Sequence, residues 1–217
     1  MFSNLAFLLL EYRARAIFPG ASERGWKCLD ASVIISKEND DTFVGGPLMA
    51  HNSGGETNAL SLRRFVESDI PLLTPLMRAA FDEDSRIHLN GAVGGPPGYD
   101  NGDFLRKWFL HPAATPYVIL EGEKAIGGVN LWIHPDGNNF LGCIFLDPAF
   151  ENHGYGLKIW QMVEALYPDT VTWRTETPIF SHRNHNFYIN KCHFKCVKIT
   201  NPKDLSEGSF LLEKTMK

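Results

Sequence analysis

From residue 60 onward the hydrophobic positions alternate between two periods. Period-two or unbroken apolar runs, which suit strands, fall at 60–65, 116–120, 125–134, 140–146, 171–176, 194–199 and 209–214. The run at 140–146 is almost continuously apolar, as expected of a strand covered on both faces. Just after it the period becomes helical. At roughly 100° per residue, Ile159, Trp160, Val163, Leu166 and Tyr167 share one face, while Lys158, Gln161 and Glu164 fall opposite. Acid, Gly and Pro clusters at 121–124 and 135–138 read as turns between antiparallel neighbours. Ser68 or Thr74, each followed by a proline within three residues, caps a first helix that ends near Phe81. Pro75 inside it costs about 3 kcal/mol, which predicts a kink or a late start. Residues 82–103, rich in Gly, Pro and acids, read as a long loop, and 101–109 as a short second helix.

Residues 1–59 do not share this patterning. The apolar stretch 5–10 is far too short to span a bilayer and has no Lys or Arg before it. Scattered charges and a polar, Gly-rich stretch at 51–58 follow. The division expected is a poorly ordered or adventitious extension over 1–59, with Met49 nearer the working start, and one domain over 60–217. A short targeting or docking arm is the alternative for 1–59.

Composition changes this picture little. A formal net charge of −4 makes no electrostatic case for nucleic acid or an anionic membrane as partner. Four cysteines, Cys28, Cys143, Cys192 and Cys196, without a CxxC pair, read as reduced thiols in a cytoplasmic protein, Cys143 lying in the core strand. Cys192 and Cys196 stand near His182, His185 and His193, but structural-zinc spacing is missing, so no metal is expected. His182 and His185 read instead as loop or helix-cap residues.

The candidate chemistry lies between the apolar strand and the amphipathic helix. Gly154 and Gly156 let the backbone bend sharply and let a ligand approach without a Cβ in the way. The first N–H groups of the helix point outward at the positive end of its dipole and can hold a phosphate. A dinucleotide fingerprint would need glycine at Ile159, and a P-loop would need Gly-Lys-Ser/Thr, so neither applies.

The whole turn resembles motif A of the GNAT acetyltransferase superfamily, a hydrophobic strand followed by h-x-P-x-x-Q/R-x-x-G-x-G/A and a helix. Leu146, Pro148, Gly154 and Gly156 match, and Glu151 stands where Gln or Arg is usual. A second resemblance, to motif B of that family, covers 181–194: Phe187, Tyr188 and Phe194 match, while Ser181, Asn184 and His193 replace the usual Asn, Ala and Gly. The resemblance spans about 60–217. It implies a mixed, mostly antiparallel α/β (α+β) sheet of about six to seven strands flanked by helices, splayed between the fourth and fifth strands to admit CoA.

It also implies roles. Backbone N–H groups of Glu151, Asn152, His153, Gly154, Tyr155 and Gly156 would hold the pyrophosphate of acetyl-CoA, with Glu151's side chain turned to solvent and Asn184 adding a contact. His153 would add a weak cationic contact or simply be solvated. The N–H near Leu146 would polarise the thioester carbonyl, and Tyr188 would be the general acid. An amine of pKa about 10 needs a base near neutral pH. Glu176, at the end of the fifth strand, is the first candidate, followed by Asp147 and Asp84. The acceptor expected is a small-molecule amine, selected by carboxylates of the loop at 82–103; a homodimer is left open. Two rivals stand beside this reading: a non-catalytic acyl-CoA-binding module of the same fold, and a zinc-dependent interaction module built on Cys192 and Cys196.

Overall fold

The apolar periods become one sheet in a computed structural model of the chain, which describes residues 42–44, 59–205 and 207–216. The seven expected strands are β2 (Leu60–Arg64), β3 (Thr115–Glu121), β4 (Lys124–Trp132), β5 (Asn138–Leu146), β6 (Thr172–Pro178), β7 (Lys195–Thr200) and β8 (Ser209–Thr215). An eighth, β1 (Thr42–Val44), pairs antiparallel with β2 at the sheet edge. The rest of the extension expected over 1–59 lies outside the described residues, apart from Ala59. Strand order is β1-β2-β3-β4-β5-β6-β8-β7. Every neighbouring pair is antiparallel except β5 and β6, which run parallel.

That parallel pair decides where the sheet opens. Its register runs from Asn138 opposite Thr172 to Leu141 opposite Thr175 and stops there. Beyond it β5 continues to Leu146 on β4, and β6 continues to Pro178 on β8. The two strands therefore diverge, as the splay between the fourth and fifth strands anticipated. The Thr175 hydroxyl donates to the Leu141 carbonyl at 2.9 Å and pins the fork.

Both sheet faces are covered. α1 (Ile70–His88) and a π-helical turn, Leu105–Phe109, bury Leu73, Met77, Leu105 and Phe109 against Val118, Phe140 and Phe145. On the other face α2 (Tyr155–Leu166) presents Ile159, Trp160, Met162 and Val163 to Leu62, Ile119, Val129, Leu141 and Trp173. Trp160 lies edge-on to Trp173 with centroids 5.3 Å apart. Lys158 and Gln161 are exposed, so the helical face read from the sequence is the one that packs.

Three local expectations need correction. α1 does not stop near Phe81 but runs to His88, because the acids that resembled a loop pair along the helix: Arg78 with Asp82, Arg86 with Glu83 and His88 with Asp84. Neither Ser68 nor Thr74 caps it. The helix starts at Ile70 after a 3₁₀ turn, with Asp69 accepting from the Val66 N–H and Arg63, and it carries Pro75 in its interior while the Thr74 hydroxyl donates to the Ile70 carbonyl. Finally, the β5 run is not buried throughout. Phe140, Leu141 and Phe145 are buried, but Gly142, Cys143 and Ile144 are half-buried along the opening where β6 has left. Among the described residues, no helix is long and apolar enough to cross a membrane.

Candidate active site

The turn from β5 into α2 is built by backbone conformation. Asp147 accepts from the Ala149 N–H at 3.0 Å and caps a short 3₁₀ turn, Pro148–Phe150. This bond gives Asp147 a structural part in the turn. Asn152 (φ 62°) and Gly154 (φ 77°) then take left-handed conformations that swing the chain onto the helix axis. A Cβ added at Gly154 would meet nothing within 4 Å, so the space in front of the helix is open to a ligand. The first N–H groups of α2, from Tyr155 onward, have no carbonyl within the helix to bind, and the dipole favours an anion there. A Cβ at Gly156 would stand 3.1 Å from Phe187, so that glycine also lets the segment 181–194 close over the turn.

Side chains of the turn are either exposed or engaged by partners elsewhere in the fold. The Tyr155 hydroxyl donates to Glu121, which ties the turn to the sheet and raises the phenol's pKa. His153 and Asn152 are exposed. Glu151 does not point freely to solvent as expected: Arg183 donates to it, and the pair is only partly exposed. Burial raises the Glu151 pKa, and Arg183 opposes that rise. Arg183 Nε is also 3.9 Å from Asp84, whose carboxylate accepts from Ser181 at 3.0 Å. The cation missing from the turn at position 151 is thus brought by the opposite segment.

At the far end of β5, alternation of the antiparallel ladder settles which groups face the opening. The Asp147 N–H donates to the Ile126 carbonyl on β4, so Phe145 also bonds toward β4 while Ile144 and Leu146 turn their N–H groups to the splay. Tyr188 comes from α3 (His182–His185) and its π-helical continuation, Asn186–Lys191. It is 7% exposed, and burial first, then the neighbouring Cys143 and Cys192, drive its pKa well above the usual phenol value, with Thr175 pulling the other way. The phenol therefore stays protonated at neutral pH. His193, just past it, holds the left-handed conformation (φ 64°) at the position where the motif usually has glycine.

Tyr188, Glu176, Asp84 and Asn184 all line one cavity of about 240 Å³ in the fork. The Ser209 hydroxyl donates to Glu176, and Thr200 in turn bonds Ser209. The remaining wall was not read from the sequence. It comprises Phe81, Phe104, Phe140 and Phe180 together with Gly94, Gly95, Pro96 and Pro97. Arg183 was missed as well, though a carboxylate at position 151 was itself a signal that a cation must stand nearby. Cys143, on β5, packs against the core and also lines the same cavity, and burial pushes its thiol up to about 12. His185 stacks on Phe210 at 4.3 Å and bonds the Pro178 carbonyl at 2.9 Å, a packing role. Cys192 is buried and Cys196 exposed. Among the described residues no group of three or more His, Cys, Asp or Glu is arranged to hold a metal ion.

Comparisons with known proteins agree with this geometry. A family model described as the acetyltransferase (GNAT) family matches residues 77–194. The uncharacterized protein YrkN of Bacillus subtilis (strain 168) is 38% identical over 136 residues, 62% of this chain and 72% of YrkN. An acetyltransferase structure from Thermus thermophilus superposes with a TM-score of 0.58 at 14% identity, covering 72% of this chain and 96% of that one. PaiA N-acetyltransferase from Thermoplasma acidophilum, solved with coenzyme A, gives a TM-score of 0.56 at 14% identity over 72% of this chain and 98% of its own.

Proposed function

Because this chain belongs to the GNAT acetyltransferase family, we propose that it moves an acetyl group from acetyl-CoA to the nitrogen of a small amine by direct attack. The observation that carries the reading is the open, left-handed Gly154 turn leading to one fork that holds both Tyr188 and Glu176.

In this reading the backbone N–H groups from Glu151 to Gly156 bind the pyrophosphate, with Asn184 beside them, and the Leu146 N–H polarises the thioester carbonyl. Glu176 takes a proton from the ammonium, and the neutral nitrogen attacks the carbonyl carbon. The C–N bond forms and the C–S bond breaks. Tyr188 gives its proton to the departing thiolate and is restored by the second proton of the nitrogen. The net products are the amide, CoA thiol and one proton released through Glu176.

Calorimetric titration of acetyl-CoA into the full chain, beside Gly154→Glu, tests the first half. Saturable binding abolished by the substitution is the expected result, because the new side chain would force a Cβ into a left-handed conformation and a carboxylate into the phosphate site. Binding that survives the substitution, in a variant that still melts cooperatively, would sink the turn as the CoA site.

A further inference from the structure

One carboxylate, Asp84, is held by groups from two distant parts of the chain. It stands on α1 with its side chain 15% exposed and reaches the cavity beside Tyr188. The Ser181 hydroxyl, 97 residues away in sequence, donates to its Oδ1 at 3.0 Å. Arg183 Nε lies 3.9 Å from the same oxygen. His88 Nε2, one turn further along α1, lies 3.6 Å from it and makes no hydrogen bond. The His88 and His182 rings, 5.6 Å apart, complete this junction between α1 and the start of α3.

Ser181 is fully buried at the position preceding α3, where a serine ordinarily turns its oxygen back to cap the first N–H groups. Here it makes no such cap, and its hydroxyl goes to Asp84 instead. α3 has four residues and its π-helical continuation six, far too few to hold a fixed place through their own hydrogen bonds. Their position depends on ties to other elements: His185 with Phe210 and the Pro178 carbonyl, Arg183 with Glu151, and Ser181 with Asp84. The last joins the segment to α1, the helix that also brings Phe81 and Ser85 to the cavity wall. Tyr188 lies about two turns further along this same segment. A displacement of its phenol by about 1 Å is enough to cost on the order of 10²-fold in rate.

Resting on the acyltransferase reading above, we propose that Asp84 is a positioning residue. Through Ser181 and Arg183 it fixes the start of the segment whose far end delivers Tyr188, and so sets where the proton donor stands. Asp84 then serves neither as the base nor as the partner of the acceptor's ammonium.

The test uses the full chain and the variants Asp84→Asn, Asp84→Ala and Ser181→Ala. Calorimetry first measures acetyl-CoA binding. Thiol release is then followed with 2-phenylethylamine, spermidine, an aminoglycoside and a short peptide, and the amine that the wild-type chain acetylates fastest serves for the comparison. An asparagine amide oxygen can accept the same Ser181 hydroxyl, so Asp84→Asn should keep kcat within about threefold. Asp84→Ala and Ser181→Ala should each lower kcat by about 10- to 100-fold, with the amine KM and acetyl-CoA affinity unchanged. Asp84→Asn falling as far as Asp84→Ala, with loss of the acid limb of kcat against pH, would make Asp84 the base and overturn the inference. A raised amine KM at unchanged kcat would make it the ammonium's partner, with the same consequence. A lowered Tm at unchanged kcat would leave the tie purely structural and equally overturn it. Where Asp84→Ala does not fold, Ser181→Ala carries the test, and an unchanged kcat there overturns it. Failure of the wild-type chain to bind acetyl-CoA, or binding without thiol release to any amine, removes the acyltransferase reading and this inference with it; release by the wild type with equal kcat in every variant removes this inference alone.

Discussion

The two ends of the β5–β6 opening are built on different principles. At the end proposed for CoA the surface is mostly backbone, a left-handed glycine and a helix N-terminus, beside one ion pair, Arg183 with Glu151. At the end proposed for the acceptor it is side chain: phenylalanines from positions 81, 104, 140 and 180, with the Tyr188 phenol and the carboxylates of Asp84, Glu176 and Glu207. A backbone site tolerates side-chain exchange so long as the bend survives, and a side-chain site does not. The contrast predicts that substitutions at the acceptor end change turnover, whereas at the turn they change CoA affinity through charge or bend.

The sharpest way to break that contrast is Tyr188→Phe. Phenylalanine keeps the ring contacts with Phe187 and Phe194, at 5.0 and 5.8 Å, and removes only the hydroxyl. If the hydroxyl is the proton donor to the leaving thiolate, kcat falls by about 10²–10⁴-fold while acetyl-CoA affinity measured by calorimetry stays put. An unchanged kcat would return Tyr188 to a packing role and favour a protein that binds acyl-CoA without a poised acid.

The ion pair sharpens the other end. Removing Arg183 leaves a partly buried carboxylate beside the proposed pyrophosphate site, so Arg183→Gln should weaken acetyl-CoA binding by about 10-fold, or about 1.4 kcal/mol. Adding Glu151→Gln removes the stranded charge and should recover most of that loss. Recovery would mean that Arg183 acts chiefly by neutralising Glu151. No recovery in the double variant would mean that Arg183 meets the phosphates itself.

This difference in construction also explains how much of the molecule is legible in the chain alone. The turn was legible because glycine spacing, an apolar strand and an amphipathic helix are local facts, and the alternating runs likewise located seven strands; the fork followed only from the resemblance of the two motifs. The acceptor wall was not, since Phe81 and Phe180 become neighbours only once α1 and the end of β6 have packed around the cavity. The extension of α1 to His88 was hidden for a related reason. Asp82, Glu83 and Asp84 look like loop residues until Arg78, Arg86 and His88 are seen one turn away. The half-burial of 142–144 was hidden because an apolar run signals two covered faces, whereas the parallel pairing ends at Leu141 and leaves the next three residues of β5 at the opening.

A smaller effect separates conformation from chemistry within the segment that carries Tyr188. His193 is exposed and left-handed, a conformation that costs a residue with a Cβ roughly 1 kcal/mol. His193→Gly should therefore stabilise the fold by about that amount and raise Tm by about 2–4 °C, with kcat unchanged. A lower Tm would show that the imidazole makes a contact worth more than the strain.

The smallest expected effect is a pH dependence seated at the acceptor end. Burial lowers the pKa of His185 below 6.5, helped by His182 and His88, while its bond to the Pro178 carbonyl and the charge of Asp84 work the other way. The folded chain thus binds that proton less readily than the unfolded chain, so stability is full above the unfolded pKa and declines as pH falls below 6.5. Burial shifts His111 in the same direction, so a residual slope is expected when His185 is replaced. Melting curves from about pH 7.5 to 5.5 should show Tm falling with acidification, and His185→Gln should flatten part of the fall. Since the His185 ring lies flat on Phe210 and bonds Pro178, at the cavity's edge, its protonation disturbs the acceptor wall before it reaches the glycine turn. Acetyl-CoA affinity should therefore hold over the range in which the amine KM begins to rise, and a parallel loss of both would mean that the two ends are not separable.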